Sequence, residues 1–178
     1  MSQTPGGRRN PFSSFPDAAD IAAQRPLGGV SHVRGATQPP LEDLTIGALL
    51  DLAAERHGAR PACVFVAHGV RWSWAELRQQ ADEVAAGLLS LGVQRGDRVG
   101  IWSPNRPEWV LLQFATARIG AILVNINPAY RTAELKYALD KVQVKLLVSA
   151  VGLKGSSYLD MLDEVAPGLT HLQHIVQL

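Results

Sequence analysis

The feature that most constrains this chain is the run after Gly92, where short apolar stretches alternate with helix-patterned ones. In order they read "DRVGIWS", "PNRPEWVLLQFATARIG", "AILVNIN", "TAELKYALDK", "VKLLVSA", "SYLDMLDEVAP" and "HIVQL". "AILVNIN" reads as a near-continuous apolar strand, and strands separated by helices pair in parallel through crossovers. The order strand, helix, strand, helix, strand therefore predicts an α/β fold: a mostly parallel sheet with helices on its faces and right-handed crossovers. Pro104 and Pro107 fit a strand-to-helix junction, where the first helical N–H groups lack intrahelical partners. The helix that follows is apolar at Trp109, Val110, Leu112, Phe114, Ala117 and Ile119, so it expects neighbours on more than one side. Thr132 is the expected cap of the next helix.

Upstream, "LTIGALLDLAAERHG" places Ile46, Leu49, Leu50 and Ala53 at helical spacing, with Thr45 as cap and Gly58 as stop. "PACVFVAHGVRWSW" predicts a β-hairpin turning at His68-Gly69. Ser73 and Glu76 form a capping box for a helix whose buried line is Leu77, Ala81, Val84, Ala85 and Leu88, ending at Gly92. Residues 1–40 mix Pro, Gly and polar residues and are expected to be a flexible leader, since such a segment buries too little to offset its ordering entropy. Arg8, Arg9 and several serines leave a transit peptide as the weaker alternative, which Asp17 and Asp20 oppose. The folded part is expected over residues 41–178.

At 178 residues with 47% hydrophobic content, the chain suffices for one domain core. Lys and Arg number 17 against 16 Asp and Glu, a net charge of +1, so no strong field favours nucleic acid. Cys63 is the single cysteine, which excludes an intramolecular disulfide and a multi-cysteine zinc site and suits a reducing cytoplasm. No apolar run approaches the ~20 residues of a membrane span.

Chemistry is harder to find. "GLKGSSY" supplies Gly152, Lys154, Gly155 and Ser156 but lacks the spacing of a phosphate loop, so it reads as a loop with a helix-capping Ser. The dinucleotide glycine fingerprint is missing. Ser103 is followed by Pro104 with no nucleophile elbow and reads as a strand-end residue. His32, His57, His68, His171 and His174 show no metal-ligand pattern beyond the three-residue spacing of His171 and His174, where hydrogen-bonded or solvated His is favoured. Trp72 and Trp74 read as packing residues rather than a stacking platform. Cys63 reads as a small core residue. Asp97 and Arg98 read as a turn. No residue is assigned as catalytic, cofactor-binding or metal-binding.

"WAEL" at Trp74–Leu77, and then "GDRVGIWSPNRPEWVLLQFATARIGAILVNINPAYRTAELKYAL", resemble the adenylate-forming acyl-CoA synthetases. Within them the segment Asn127 to Arg131 followed by Glu134 and Leu135, and the tail "KGSSYLDMLDEVAPGL", are similar to the fatty acyl-CoA synthetase branch. The resemblance runs from about Leu41 onward. It implies part of the N-terminal subdomain of an enzyme that activates a fatty acid with ATP and Mg²⁺ to an acyl-adenylate and then passes it to CoA. In that family the early motifs are largely structural. The phosphate-embracing loop, the adenine and Mg²⁺ motifs and the mobile-domain lysine lie farther along, and Lys136, Lys141, Lys145 and Lys154 match none of them. The expectation is an N-terminal fragment, inactive alone, that binds no cofactor as it stands. A stand-alone protein-interaction module derived from the fold is the alternative, its protein partner unknown. A small complete enzyme has little support. Exposed helix faces and strand edges make the isolated chain an expected aggregation hazard.

Overall fold

The computed structural model describes residues 43–178; the leader reading and the start at Leu41 lie outside them. Residues from Leu44 to Leu178 form one compact unit. The elements are α1 (Ile46–His57), β1 (Pro61–Phe65), a short 3-10 turn (Val66–His68), β2 (Val70–Ser73), α2 (Trp74–Ser90), β3 (Arg98–Trp102), α3 (Pro107–Ile119), β4 (Ile122–Ile126), α4 (Thr132–Lys141), β5 (Leu146–Ser149), β6 (Gly152–Leu153), β7 (Ser156–Ser157), α5 (Tyr158–Val165) and β8 (His174–Gln177). Strands β4, β3, β5 and β8 lie side by side in that order, every pair parallel. The α/β class is as predicted.

Each face of the sheet carries helices whose apolar lines meet alternate strand residues. Val99 and Ile101 of β3 and Leu146 and Val148 of β5 pack with α2 and α3 through Ala85, Leu88, Leu112 and Ala115. Trp102 and Leu147 face the other way, onto Leu135 and Leu139 of α4 and Met161, Leu162 and Val165 of α5. The period-two alternation of strands separates these two sets. The chain moves from β3 to β4 through α3 on one face, then back past β3 to β5, and on to β8, through α4 and α5 on the other. Reversing both direction and face keeps one hand for all three crossovers, as parallel connections require. A third cluster, Leu50, Leu77, Ala81 and Leu111, joins α1 and α2 to α3. The α3 helix is thus packed on several sides, as its all-round apolarity demands. Its deepest residues are Leu111, Leu112, Ala115 and Thr116, while Trp109, Val110, Phe114, Ala117 and Ile119 are half-buried.

The predicted hairpin and caps are present, with differences of detail. β1 and β2 pair antiparallel, turning through Val66–His68 and a left-handed Gly69 at φ 63°. Ser73 Oγ accepts from Glu76 N–H (3.2 Å) while Glu76 Oε2 accepts from Ser73 N–H (2.7 Å). Of the line expected on α2, Leu77, Ala81, Ala85 and Leu88 are buried and Val84 is half-buried. Thr45 caps α1 by accepting from Ala48 N–H at 3.1 Å.

The face expected of α1 is corrected. Ile46 and Leu49 are 51% and 50% exposed, and the buried line is Gly47, Leu50 and Ala54. Both lines contain Leu50 at helical spacing, so periodicity alone does not separate them. Arg118 of α3 decides: its Cγ would stand 3.3 Å from a Cβ on Gly47, so only a glycine turn of α1 approaches that closely. Arg118 then pairs with Asp51 at 3.0 Å and with Asp82, tying α1 and α2 to α3. Gly58 follows α1 as expected but in the right-handed region (φ −40°), not as a left-handed stop. The cap of α4 is Arg131 rather than Thr132, because Glu134 Oε2 reaches back to the Arg131 N–H at 3.2 Å, placing Thr132 inside the first turn.

Candidate functional site

In open α/β sheets ligands lie beyond the carboxyl ends of the strands, where neighbouring strands send their connections to opposite faces. Here that point falls between β3 and β5. The residues at it are Trp102 and Ser103 on one side and Ser149 and Ala150 on the other, with the β4–α4 loop from Asn127 alongside.

The side chains at this edge are tied to one another. Trp102 stacks on Tyr158 with ring centroids 3.6 Å apart and planes 6° from parallel. Its indole Nε1–H donates to Asn127 O (3.1 Å), and the Tyr158 hydroxyl donates to Pro128 O, so consecutive carbonyls of the loop are held by a stacked aromatic pair. Burial pushes the Tyr158 phenol up. Trp109 Nε1–H donates to Pro104 O at 3.0 Å, fixing the β3–α3 junction. Arg106 grips Glu108 through two contacts of 2.9 and 3.1 Å, and the guanidinium holds the Glu108 carboxyl below the usual carboxylate range. Arg131 donates to Ser156 Oγ across a small pocket of about 170 Å³ that Tyr130 and Lys154 also line.

The residues weighed from sequence find plain roles. Ser103 and Ser149 are buried, each donating its hydroxyl to the carbonyl of the next residue at 2.9 Å, with no base in hydrogen-bond reach. Ser103 is a strand-end residue, as read. Trp72 and Trp74 pack against the α1–α2–α3 cluster, with Trp72 edge-on to Phe65 at 6.1 Å. Cys63 is half-buried and burial pushes its thiol up, away from nucleophile character. His171 Nε2 lies 3.1 Å from Leu139 O, and His174 sits on β8 opposite Leu146, so the two are not brought onto one ligand. "GLKGSSY" is corrected from a loop to a ribbon: β6 and β7 pair antiparallel around Lys154 (φ 47°) and Gly155 (φ 80°), and Ser157 caps α5 by accepting from Asp160 N–H. Two consecutive left-handed residues are what a two-residue hairpin needs, and Lys-Gly is a muted form of that signal.

The contact that sequence reading missed lies at the opposite, amino edge. Asp97 does close a turn, accepting from Gln94 N–H at 2.7 Å, but it also takes Lys145 Nζ at 2.6 Å, and the same ammonium donates to Gly92 O at 2.7 Å. Forty-eight residues separate Asp97 from Lys145, so no local pattern announces the pair. The Lys145 hydrogen bond holds the Asp97 carboxyl below its ordinary value, supported by the Gln94 N–H and by Arg98. A carboxyl depressed on folding adds stability above its unfolded pKa of about 3.9 and loses it as pH falls through the folded value. We expect the urea midpoint to drop below about pH 4 and Asp97→Asn to remove part of that drop. A pH dependence identical in the variant would show that the pair contributes nothing.

Among the described residues no three His, Cys, Asp or Glu side chains gather as a metal site, and no buried side-chain N or O atom lacks a partner. What the edge does is hold the β4–α4 loop and the β3–α3 junction rigidly at the mouth of the sheet.

Fold and edge together define a doubly wound α/β unit of the kind that nucleotide-using enzymes build upon. The chain belongs to the AMP-binding enzyme family, whose sequence model matches residues 50–178. It is 43% identical to the mitochondrial medium-chain acyl-CoA ligase ACSF2 of Mus musculus over 83% of this chain and 24% of that protein. A Rhodopseudomonas palustris CGA009 chain to which long-chain-fatty-acid CoA ligase activity is ascribed superposes with a TM-score of 0.69 at 29% identity, over 77% of this chain and 33% of that one. A Mycobacterium tuberculosis fatty acyl CoA synthetase shares the fold with a TM-score of 0.69 at 23% identity, over 75% and 26%. The chain spans about a quarter of the length of the curated relatives it matches. These relatives are enzymes, and they lend no support to the stand-alone interaction module.

Proposed function

We propose that this chain is the N-terminal α/β portion of a fatty acyl-CoA ligase, inactive by itself. In the complete enzyme a fatty carboxylate attacks the α-phosphorus of ATP, giving an acyl-adenylate and pyrophosphate, and the CoA thiol then displaces AMP from the acyl carbon. The observation that carries this reading is the 43% identity to a medium-chain acyl-CoA ligase across most of the chain. The role that the described residues support is scaffolding. Trp102, Tyr158 and Trp109 hold the loops at the carboxyl edge of the sheet, and the reacting groups come from elsewhere.

Replacing the corresponding quarter of the Mus musculus ligase with this chain should give a protein that releases pyrophosphate in a fatty-acid-dependent way, while the chain alone shows no fatty-acid-dependent ATP–pyrophosphate exchange. A folded chimera without turnover, beside an active parent, sinks the ligase reading; exchange by the chain alone sinks the inactivity. We place the protein in the cytoplasm on its single cysteine. The Mus musculus relative's name says mitochondrial, so co-fractionation of the tagged full chain with mitochondrial matrix markers would overturn that placement.

A further inference from the structure

Three consecutive hydroxyls follow the tip of the β6–β7 ribbon, and only one of them faces a cation. Ser157 Oγ is spent on the α5 cap, accepting from Asp160 N–H at 3.1 Å, and the buried Tyr158 hydroxyl donates to Pro128 O. Ser156 Oγ instead takes the Arg131 guanidinium, across the pocket of about 170 Å³ that Lys154 also lines. Arg106, Arg118 and Lys145 each pair with a carboxylate, whereas among the described residues Arg131 and Lys154 enter no ion pair. Glu134, in the first turn of α4, turns its carboxylate to the Arg131 backbone N–H. Lys154 stands at φ 47°, a left-handed position that Gly or Asn would hold with less strain, so its charge comes with a conformational cost. The pocket is smaller than the ~300 Å³ at which cavities for whole small-molecule ligands begin, which suits a single tethered phosphoryl group better than a nucleotide.

We propose that Ser156 is a phosphorylation site, and that its phosphoryl group bridges Arg131 and Lys154 to clamp the β6–β7 ribbon onto the β4–α4 loop. The proposal goes beyond the ligase reading and does not depend on it. In the transfer, Ser156 Oγ attacks the γ-phosphorus of ATP carried by a protein kinase. The new O–P bond forms as the bond to the bridging oxygen breaks, ADP leaves, and the hydroxyl proton passes to a base of the kinase. Lys154 and Gly155 at the tip are exposed and Ser156 is half-buried, and a ribbon with two residues in each strand opens at little cost to enter a kinase cleft. The product carries a charge of about −2 between a guanidinium, an ammonium and the start of α5, where the helix dipole also favours negative charge. Both clamped segments are already held by the Trp102–Tyr158 stack, so phosphorylation stiffens the mouth of the sheet further.

Two measurements test this. The full chain, purified from the cells that make it, is cut after Lys154, the last Lys or Arg of the sequence, and residues 155–178 are mapped for phosphate. Phosphate on Ser156 is expected; a peptide without it, or with phosphate only on Ser157, Tyr158 or Thr170, overturns the proposal. In the second, phosphoserine is encoded at position 156 of the full chain, and amide exchange of residues 127–131 and 153–157 is compared with the unmodified chain. Exchange slowed at least ~10-fold is expected, the effect of one charged hydrogen bond, and it should vanish in Arg131→Gln. Lys154→Gln takes that variant's place if Arg131→Gln lowers the melting temperature of the unmodified chain. Equal exchange with and without the phosphoryl group, or slowing that survives the substitution, overturns the clamp. Inorganic phosphate that slows the unmodified chain to the same extent assigns the pocket to a free phosphate-bearing ligand and overturns the proposal as well.

Discussion

Gly100→Val is expected to lower the unfolding free energy by about 3 kcal/mol, the upper end of ordinary overpacking, and to move the urea midpoint without changing the slope. Gly100 is the middle residue of β3, with a strand on either side. A Cβ there would stand 3.0 Å from Leu147 Cδ1, 3.1 Å from Val144 Cγ1 and 3.2 Å from Ile126 Cδ1. All three neighbours are buried branched side chains in the cluster under α4 and α5. None is the free end of a flexible surface chain, so relief requires the sheet and its helices to part. Gly100→Ala places one atom in the same contacts and should cost less, about 1 kcal/mol. A midpoint for Gly100→Val equal to that of the parent would show that this core yields, contrary to the close packing of interiors.

Trp102→Ala should be as damaging, at about 3–5 kcal/mol, the usual loss for deleting a buried large aromatic. Trp102 has 0% exposure, and its loss would remove the stack on Tyr158 and the donor to Asn127 O together. The two effects separate experimentally. Trp102→Phe keeps an aromatic face but leaves the Asn127 carbonyl without the indole donor, which is worth about 1 kcal/mol. A double-mutant cycle with Tyr158→Ala isolates the ring pair, expected to couple by about 0.5–1.5 kcal/mol. Equilibrium unfolding of the four proteins decides it. Additive losses would mean that the stack is incidental and that Trp102 acts by volume alone.

The edge at which these residues meet was legible only in pieces. "DRVGIWS" and "AILVNIN" reveal themselves as strands because their apolar residues are nearly continuous, and Asn127-Pro128 marks the end of the second; that β3 is central and buried while β4 lies at the edge with only Ile126 buried is decided by the sheet order. Nothing local says that Trp102 and Tyr158, fifty-six positions apart along the printed chain, lie face to face. That pairing follows from β3 and β5 being neighbours, which puts the start of α5 above the end of β3. The Lys145–Asp97 pair is of the same kind, since it joins the turn before β3 to the start of β5. For α1 the helix was legible and its buried face was not, because the choice between two apolar lines rested on Arg118, sixty-seven positions beyond Asp51.

By itself the sequence determined the class of fold, the helix starts at Thr45 and Ser73, the hairpin at Gly69 and the family. All of these are written in short-range signals: apolar period, capping side chains, glycine in a left-handed turn, and a motif kept in order. The tertiary structure alone decided the strand order β4-β3-β5-β8, the buried face of α1 and the aromatic latch over the β4–α4 loop. Each depends on which distant surfaces meet, a matter of complementary volume and paired charge across the fold that no stretch of ten residues contains.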